Sequence, residues 1–339
     1  MKTTAQKATR IPVQSVLLLA FAVLAALSGC ARRESAKASP KQVESEVILG
    51  FSQIGAESAW RNCNTRSVRE AADAAGIQLL FENAEQKKEN QIKAIRSFIA
   101  YRVDVIAFVP IVADGWDNVL MEAKKAGIPV LVTDRKINTE DPSLFAGFIG
   151  TDSEEEGRAA GRFLRRKFER LAKQRAVRVV ELSGTEGASV VQGRAKGFRD
   201  AIGDKGDFAI VYTESGDFLR SRGYEIMQSV LDRGISFDAL FSHNDSMTLG
   251  AIEAMRERGI KPGKDIVIVT IDAEQATIDL LKAGAVNCVI ECNPKTGPAI
   301  MNLAKRLAAG EQIPRLLHVE ERVFTEGDSS LDGLAPRGY

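Results

Sequence analysis

Short runs of β-branched and other apolar residues alternate along most of this chain with longer segments that carry apolar residues at helical spacing. In the first half of the chain, the short runs cover residues 46–51, 78–81, 104–109, 129–133 and 145–149. The longer segments between them lie near residues 58–75, 87–101 and 114–126. A regular alternation of strands and helices predicts a parallel sheet with helices packed on both of its faces.

The same alternation begins again after residue 150. Strands are predicted at residues 177–182, 209–213, 238–242, 265–271 and 286–291, with a final strand near 317–323. Helices are predicted at residues 153–172, 189–203, 219–234, 245–258, 274–283 and 295–309. Because 339 residues are enough for two domains, we predict two three-layer α/β/α domains with parallel sheets.

The first 29 residues have the form of a secretory signal peptide. A basic N-terminus precedes an unbroken apolar run over residues 16–27, which is too short to span a bilayer as a mature helix. The letters LSGC, which end at Cys30, resemble the lipobox of bacterial lipoproteins. The resemblance implies that Cys30 is lipidated, while a plain signal peptide with an incidental cysteine is the alternative.

Residues 30–45 are polar and are predicted to form a tether between the lipid anchor and the folded chain. Removal of residues 1–29 changes the net charge from +1 to −2. We therefore expect an exported, faintly acidic protein that is anchored at the periplasmic or outer face of the cell membrane.

Composition argues against several other classes of protein. A net charge near zero provides no basic surplus for nucleic-acid binding. Only two histidines, His243 and His318, are present and no CxxC spacing occurs, so we expect no metal and no cofactor. Three further cysteines, Cys63, Cys288 and Cys292, are an odd number, and the sequence leaves open whether two of them form a disulfide.

Charged, amide or aromatic side chains follow the predicted strands at six places. In sequence order they are Glu57, Trp60, Arg61, Asp134, Arg135, Arg194, Phe218, Asn244 and Asp272. In open parallel sheets, ligands bind beyond the carboxyl ends of the strands, so two such sheets would place this set in a cleft between the domains. Carboxylates accept hydrogen bonds, guanidinium groups donate them and aromatic rings cover apolar faces, which together suit a sugar.

Five motifs at these positions resemble the periplasmic sugar-binding proteins of ABC importers, in the type I family that binds ribose and galactose. The motifs are DR at 134–135, RxxGF from Arg194, GDF ending at Phe218, NDxMxxGA from Asn244 and TID ending at Asp272. The resemblance extends from residue 46 to about 323 and is greatest to members that bind galactofuranose. It implies the type I periplasmic binding protein fold, with a ligand cleft at a hinge between two domains.

The resemblance also implies individual roles. The positions that bind sugar hydroxyls and the ring oxygen in this family are Asp134, Arg135, Arg194, Asn244 and Asp272. The positions whose aromatic faces enclose the sugar ring are Trp60 and Phe218. Glu57 and Arg61 match the galactofuranose-type members, and Gln53 and Glu291 are weaker candidates.

These features predict a solute-binding lipoprotein that captures a monosaccharide, galactofuranose or a related aldose, by hinge closure and delivers it to an ABC permease. The family's topology implies one domain of residues 46–150 plus 292–317 and another of residues 151–291 plus 318–339. It also implies hinge crossings near residues 150, 292 and 318. The chain is expected to be a monomer without enzyme activity.

Other functions stay open or fit less well. A sugar-sensing protein that feeds a membrane receptor or histidine kinase would carry the same binding module. A carbohydrate-active enzyme would need paired carboxylates, which one sequence does not exclude, but neither a GxSxG elbow nor a P-loop occurs. A repressor of this fold would need a helix-turn-helix where the signal peptide stands.

Some of the side chains also have structural explanations. Asp134 and Arg135 could form a surface ion pair, which would contribute little. Phe218 could belong to the core of the second domain. Asn244 and Asp245 both precede a predicted helix, and we expect Asp245 to cap it while Asn244 binds the ligand.

Overall fold

Two six-stranded sheets with covering helices form in the two halves of the chain where the alternation predicts them. The computed structural model describes residues 47–171 and 175–339, so the predicted signal peptide, lipidation site at Cys30 and tether lie outside the described residues. Within the described part, no helix is long and apolar enough to cross a membrane.

The strands and helices follow each other in the predicted order. The strands are β1 (Ile48–Gln53), β2 (Gln78–Asn83), β3 (Val105–Phe108), β4 (Val130–Thr133), β5 (Gly147–Gly150), β6 (Val177–Ser183), β7 (Phe208–Ser215), β8 (Ala239–Ser242), β9 (Val267–Asp272), β10 (Cys288–Glu291), β11 (Leu316–His318) and β12 (Val323–Thr325). The helices are α1 (Ala59–Ala75), α2 (Lys88–Tyr101), α3 (Asp117–Lys125), α4 (Ser153–Leu171), α5 (Ser189–Ile202), α6 (Arg220–Asp232), α7 (Asp245–Glu257), α8 (Gln275–Lys282) and α9 (Gly297–Ala308).

Each sheet is the centre of one lobe of the molecule. The first lobe has the strand order β11-β5-β4-β3-β1-β2, with all pairs parallel. The second lobe has the order β12-β10-β9-β8-β6-β7, and only its edge strand β12 runs antiparallel. These sheets confirm the predicted fold class of two parallel α/β domains.

Local sequence accounts for the elements. Strands β3, β4, β8 and β10 are buried along their whole length, as expected for parallel strands with helices on both faces. Helix α1 begins at Ser58, whose hydroxyl accepts a hydrogen bond from the Arg61 amide at 3.1 Å. The helix ends at Gly76 with φ 62°, a conformation that favours glycine.

The predicted final strand at 317–323 is wrong as a single element. Residues Leu316–His318 pair with β5 in the first lobe, whereas Val323–Thr325 pair with β10 in the second. The segment between them passes from one lobe to the other. Because each strand has three residues, the sequence shows one β-like stretch and no break.

The chain passes between the lobes three times. The first crossover, residues 151–152, joins β5 to α4, and the second, residues 292–296, joins β10 to α9. The third crossover, residues 319–322, joins β11 to β12. Helix α9 packs against α1 and so belongs to the first lobe.

Helices α4 and α5 pack closely because glycines lie in their interface. A Cβ atom on Gly157 would lie 2.1 Å from the Arg194 carbonyl oxygen, and one on Gly197 would lie 1.9 Å from that of Glu154. Any larger residue would force the helices apart. This contact places the first turn of α4 against Arg194 on α5.

Candidate functional site

A cavity of about 340 Å³ lies between the lobes, at the carboxyl ends of strands from both sheets. It is lined by Glu57, Ser58, Trp60, Arg61, Asp134, Arg135, Val190, Arg194, Phe218, Asn244, Asp272 and Cys292. The structure thus brings together the nine side chains singled out at the predicted strand ends. Sequence reasoning missed Ser58, Val190 and Cys292.

Backbone conformation at the strand ends aims several of these side chains. Asp134 and Phe218 both have φ 62°, and Asp272 has φ 129°. A positive φ in a residue other than glycine costs about 1–3 kcal/mol, and such residues cluster at functional sites. All three of these positions line the cavity.

Arg61 forms a buried ion-pair network. Its Nε donates to Glu57 Oε1 at 2.9 Å and its Nη2 donates to Asp134 Oδ2 at 2.7 Å. Burial alone would lower the pKa of Arg61, but the charges of Asp134 and Glu57 outweigh it and raise the pKa. Glu57 Oε2 and Arg61 Nη1 are buried without a hydrogen-bond partner among the described residues, so one acceptor and one donor are available to a ligand.

Arg135 is buried without an ion-pair partner in the described part of the chain. The side chain is 3% exposed, and Nη1 donates to the Ile111 carbonyl oxygen at 3.0 Å. Burial, and then the charge of Arg61, lower the pKa of Arg135 to about 10. Its guanidinium carbon lies 5.3 Å from the centre of the Phe218 ring. The alternative of a surface ion pair with Asp134 is wrong, because Asp134 pairs with Arg61 instead.

Arg194 is held by two groups of the second lobe. Nε donates to Glu156 Oε2 at 2.7 Å, and Nη1 donates to the His243 carbonyl oxygen at 2.7 Å. Burial alone would lower the pKa of Arg194, but the nearby charges, that of Glu156 foremost, raise it. Burial, and then the charge of Asp245, raise the pKa of Asp272 well above its ordinary value.

Trp60 connects the lobes. Trp60 is the second residue of α1 in the first lobe. Its ring nevertheless packs in a core cluster of the second lobe, and the residue is 5% exposed. Its Nε1 donates to the Cys292 carbonyl oxygen at 2.6 Å, and its backbone amide donates to Glu274 Oε1 at 3.4 Å. Phe218 also has two environments, since it lines the cavity and packs in the core of the second lobe.

The lobes also touch at the rim of the cavity. The Ala113 amide of the first lobe donates to the Gly187 carbonyl oxygen of the second at 2.9 Å. The Lys136 amide donates to Ser189 Oγ at 2.7 Å. The arrangement is therefore closed around the cavity.

The predicted roles of Asn244 and Asp245 need correction. Asn244 is the N-cap of α7, and its Oδ1 accepts from the Met247 amide at 3.0 Å. Asp245 is fully buried, where its carboxylate accepts from Thr270 Oγ1 and from the Glu274 amide, both at 2.7 Å. Asn244 caps the helix because its backbone has the extended conformation of the residue that precedes the first helical turn. It still lines the cavity.

The two weaker candidates lie elsewhere. Gln53 Nε2 donates to Asn64 Oδ1 at 3.0 Å, and Asn64 in turn donates to the Pro294 carbonyl oxygen in the second crossover. Glu291 accepts from the Arg322 amide at 3.1 Å and pairs with Arg337. Both side chains are occupied by these contacts, and neither lines the cavity.

The cysteines of the described chain are buried and unbridged. They are Cys63, Cys288 and Cys292. Cys292 is near two glutamates, and ligand atoms of Glu156, Cys292 and Glu321 lie within 4.8 Å of one another. The cavity lining combines fixed hydrogen-bond donors and acceptors with two aromatic residues, a combination that can hold a small polyhydroxylated molecule.

The sequence pattern of the periplasmic binding protein domain matches residues 49–312. The chain belongs to this family. It is 40% identical over 312 residues to the galactofuranose-binding protein YtfQ of Escherichia coli, covering 91% of this chain and 93% of that protein. Membership of the periplasmic binding protein family implies a location outside the cytoplasm.

Two solved structures of this family share the fold closely. A Mycobacterium smegmatis protein in complex with β-D-fucofuranose is 43% identical with a TM-score of 0.81, over 85% of this chain and 93% of its own. The binding component of an arabinose ABC transporter from Shewanella sp. ANA-3, bound to α- and β-L-arabinofuranose, is 39% identical with a TM-score of 0.79, over 84% and 94%. The predicted resemblance to the type I sugar-binding family is confirmed.

Proposed function

We propose that this chain is an extracytoplasmic solute-binding lipoprotein that captures a monosaccharide and delivers it to an ABC permease. The observation that carries the proposal is a closed cavity built from both lobes, whose lining combines buried polar atoms without protein partners with the aromatic residues Trp60 and Phe218. The bound molecule is proposed to be a furanose, galactofuranose or a related aldose. The ligands of three relatives support this choice, because galactofuranose, fucofuranose and arabinofuranose all have five-membered rings.

Each lobe contributes part of the hydrogen-bonding set. Glu57, Arg61 and Arg135 belong to the first lobe, and Arg194 and Asp272 to the second. A hydrogen bond to a charged partner contributes about 1.5–3 kcal/mol. Several such bonds, after the costs of association, give a dissociation constant of about a micromolar or tighter. Only the closed form satisfies ligand and protein together, so the ligand shifts an open–closed equilibrium.

The remaining parts of the proposal follow the family. The hinge is proposed to join a domain of residues 46–150 plus 292–318 to one of residues 151–291 plus 319–339, with His318 in the first domain because it pairs with Gly150. The chain is proposed to be a monomer that is anchored to the membrane at Cys30 and binds the sugar without altering it. A protein that reports the sugar to a membrane receptor is the second candidate, since the same cavity would serve it.

Calorimetry with D-galactose, D-fucose and L-arabinose tests the proposal. At least one of these sugars should bind to the wild-type protein. Arg135→Ala and Asp272→Ala should abolish binding, because each removes a buried hydrogen-bonding group that lines the cavity. Circular dichroism should show that both variants are folded.

Arg96→Ala is the matched control. Arg96 forms an exposed ion pair with Glu122 on the surface of the first lobe, so this variant should bind sugar like the wild type. Unchanged affinity in both Arg135→Ala and Asp272→Ala would refute the site. Failure of the wild-type protein to bind any sugar would refute the function.

A further inference from the structure

Three side chains that lie in or next to the three crossovers meet at one largely buried place. Glu156 lies in the first turn of α4, just after the first crossover, while Cys292 begins the second crossover and Glu321 lies in the third. One carboxylate oxygen of each glutamate and the Cys292 sulfur lie within 4.8 Å of one another. We call these three residues the hinge cluster.

Glu156 connects the hinge cluster to the cavity. Its Oε2 accepts from Arg194 Nε at 2.7 Å, and both side chains are almost fully buried. Because the His243 carbonyl oxygen holds Arg194 Nη1, two of the three guanidinium nitrogens are bound to protein. The plane of the group is therefore fixed, and Nη2 is the nitrogen that can face a ligand.

The second glutamate creates a charge problem. Arg194 balances the charge of Glu156, while Glu156 Oε1 and Glu321 Oε1 are both buried without a hydrogen-bond partner among the described residues. Two ionised carboxylates only accept hydrogen bonds and repel each other, whereas a protonated carboxyl can donate to an ionised one. Burial, and then the charge of Glu156, raise the pKa of Glu321 well above its ordinary value.

Position decides which glutamate keeps the negative charge. Glu156 lies at the N-terminus of α4, where the helix dipole favours an anion, and it faces Arg194 directly. Glu321 lies outside any helix, in the third crossover. The proton therefore belongs on Glu321.

We infer that Glu321 is protonated and faces Glu156, and that this pair is a positioning device that holds Arg194 in its ligand-binding geometry and joins it to the third crossover. The inference rests on the proposed function, because Arg194 meets the ligand there. The other charged or titratable groups that face the pair are Arg194 on α5, Cys292 in the second crossover, Asp272 at the end of β9 and Glu291 on β10.

A metal ion suits the hinge cluster less well than a proton. Burial raises the pKa of the Cys292 thiol well above its ordinary value, and metals bind the thiolate. The Arg194 guanidinium lies on the same carboxylate, so a divalent cation would meet a positive charge.

Two amide substitutions test the inference by calorimetry with L-arabinose. Glu321→Gln keeps a neutral donor beside Glu156 and should retain affinity near neutral pH. Glu156→Gln removes the anion that holds Arg194 and should weaken binding about tenfold or more. As the pH rises from neutral through about 11, the wild type should lose affinity as the Glu321 proton leaves, whereas Glu321→Gln should lose less. Arg135 is present in both proteins, so its own titration cancels in this comparison.

Infrared spectroscopy detects the carboxyl proton of Glu321 in the absence of any ligand. The carbonyl stretch of a protonated carboxyl should be present in the wild type and weaker in Glu321→Gln. Glu320→Gln and Glu155→Gln change exposed neighbours in the same segments and should match the wild type in every measurement.

Two outcomes would overturn the inference. One is that the infrared band and the alkaline loss of affinity are the same in Glu321→Gln and the wild type. The other is that zinc raises the melting temperature of the wild type but not of Glu321→Gln, which would assign the pair to a cation. If the wild type binds no sugar, the proposed function fails while the infrared measurement still decides whether the pair holds a proton.

Discussion

The three buried arginines of the cavity differ in how their charge is balanced. Arg61 and Arg194 lie against carboxylates, whereas Arg135 has a backbone carbonyl oxygen and the Phe218 ring. A buried charge without a full set of hydrogen bonds is costly. A ligand oxygen that accepts a hydrogen bond from Arg135 therefore offsets the free-energy cost of burying its charge. Carboxylates already offset this cost for Arg61 and Arg194. For this reason we expect Arg135 to dominate affinity.

A second buried network of hydrogen bonds supports the position of Arg194. His243 presents its carbonyl oxygen to Arg194, and its Nε2 lies 3.1 Å from Glu181 Oε1. Arg199 Nη2 donates to Glu181 Oε2 at 2.7 Å. Burial alone would raise the pKa of Glu181, but His243 and Arg199 outweigh it and lower the pKa to about 2.

Lowering the pH should reduce the free energy of unfolding, because Glu181 becomes protonated. Its pKa is lower in the folded protein, so its contribution to stability is present above the ordinary value of 4.5 and is lost as the pH falls toward 2. Urea denaturation between about pH 5 and pH 3 should show a smaller loss of unfolding free energy for Glu181→Gln than for the wild type. Glu253→Gln, at an exposed ion pair, should follow the wild type. Identical acid profiles for Glu181→Gln and the wild type would contradict this explanation.

At the scale of elements, the α4–α5 contact positions the second lobe's part of the site. Gly157 and Gly193 allow backbone atoms of one helix to approach the other, and Gly193 would place a Cβ 2.1 Å from Ser153 Oγ. The close approach brings the first turn of α4 to Arg194. Helix packing and ligand geometry are therefore linked through the same glycines.

Gly157→Ala should reduce both stability and affinity. The added Cβ would lie 2.1 Å from the Arg194 carbonyl oxygen, so α5 must shift. Overpacking of this kind costs about 1–3 kcal/mol of unfolding free energy, measurable by urea denaturation, and sugar affinity should fall because Arg194 moves. Gly333→Ala is the control, since no atom lies within 4 Å of its added Cβ. Equal stability of the two variants would show that the helices are not held by this contact.

At the scale of the whole molecule, closure depends on contacts between the lobes. Trp60 crosses from the first lobe into the second and bonds to Cys292 in the second crossover. The chain's other tryptophan, Trp116, is fully buried in the first lobe, where Nε1 donates to the Val112 carbonyl oxygen at 2.8 Å. The fluorescence of Trp60, and not that of Trp116, should therefore respond to closure of the cleft.

Sugar binding should change the fluorescence of Trp60 and lower the radius of gyration. In Trp116→Phe the fluorescence response should remain, whereas in Trp60→Phe it should be lost at sugar concentrations that calorimetry shows to be saturating. Small-angle scattering on the wild type should show the decrease in size that hinge closure predicts. A response that disappears in Trp116→Phe would contradict the assignment of Trp60 to the moving interface.

Local sequence determined most of the architecture and the location of the cavity. Each predicted helix and strand has an observed counterpart except the last strand, because the period of apolar residues is a property of adjacent positions. The residues after the strands were predictable for the same reason, since the carboxyl ends of parallel strands share an edge. Nine side chains identified in this way line one cavity.

The pairing of those side chains was decided by tertiary structure. Arg61 pairs with Asp134, 73 residues away, as well as with its sequence neighbour Glu57. Asn244 takes the helix cap, and Asp245 is buried against Thr270. Glu156 and Glu321 meet only because the crossovers converge. Hydrogen bonds and ion pairs depend on distances in space, and no periodic pattern in the sequence records which distant segments a fold brings together.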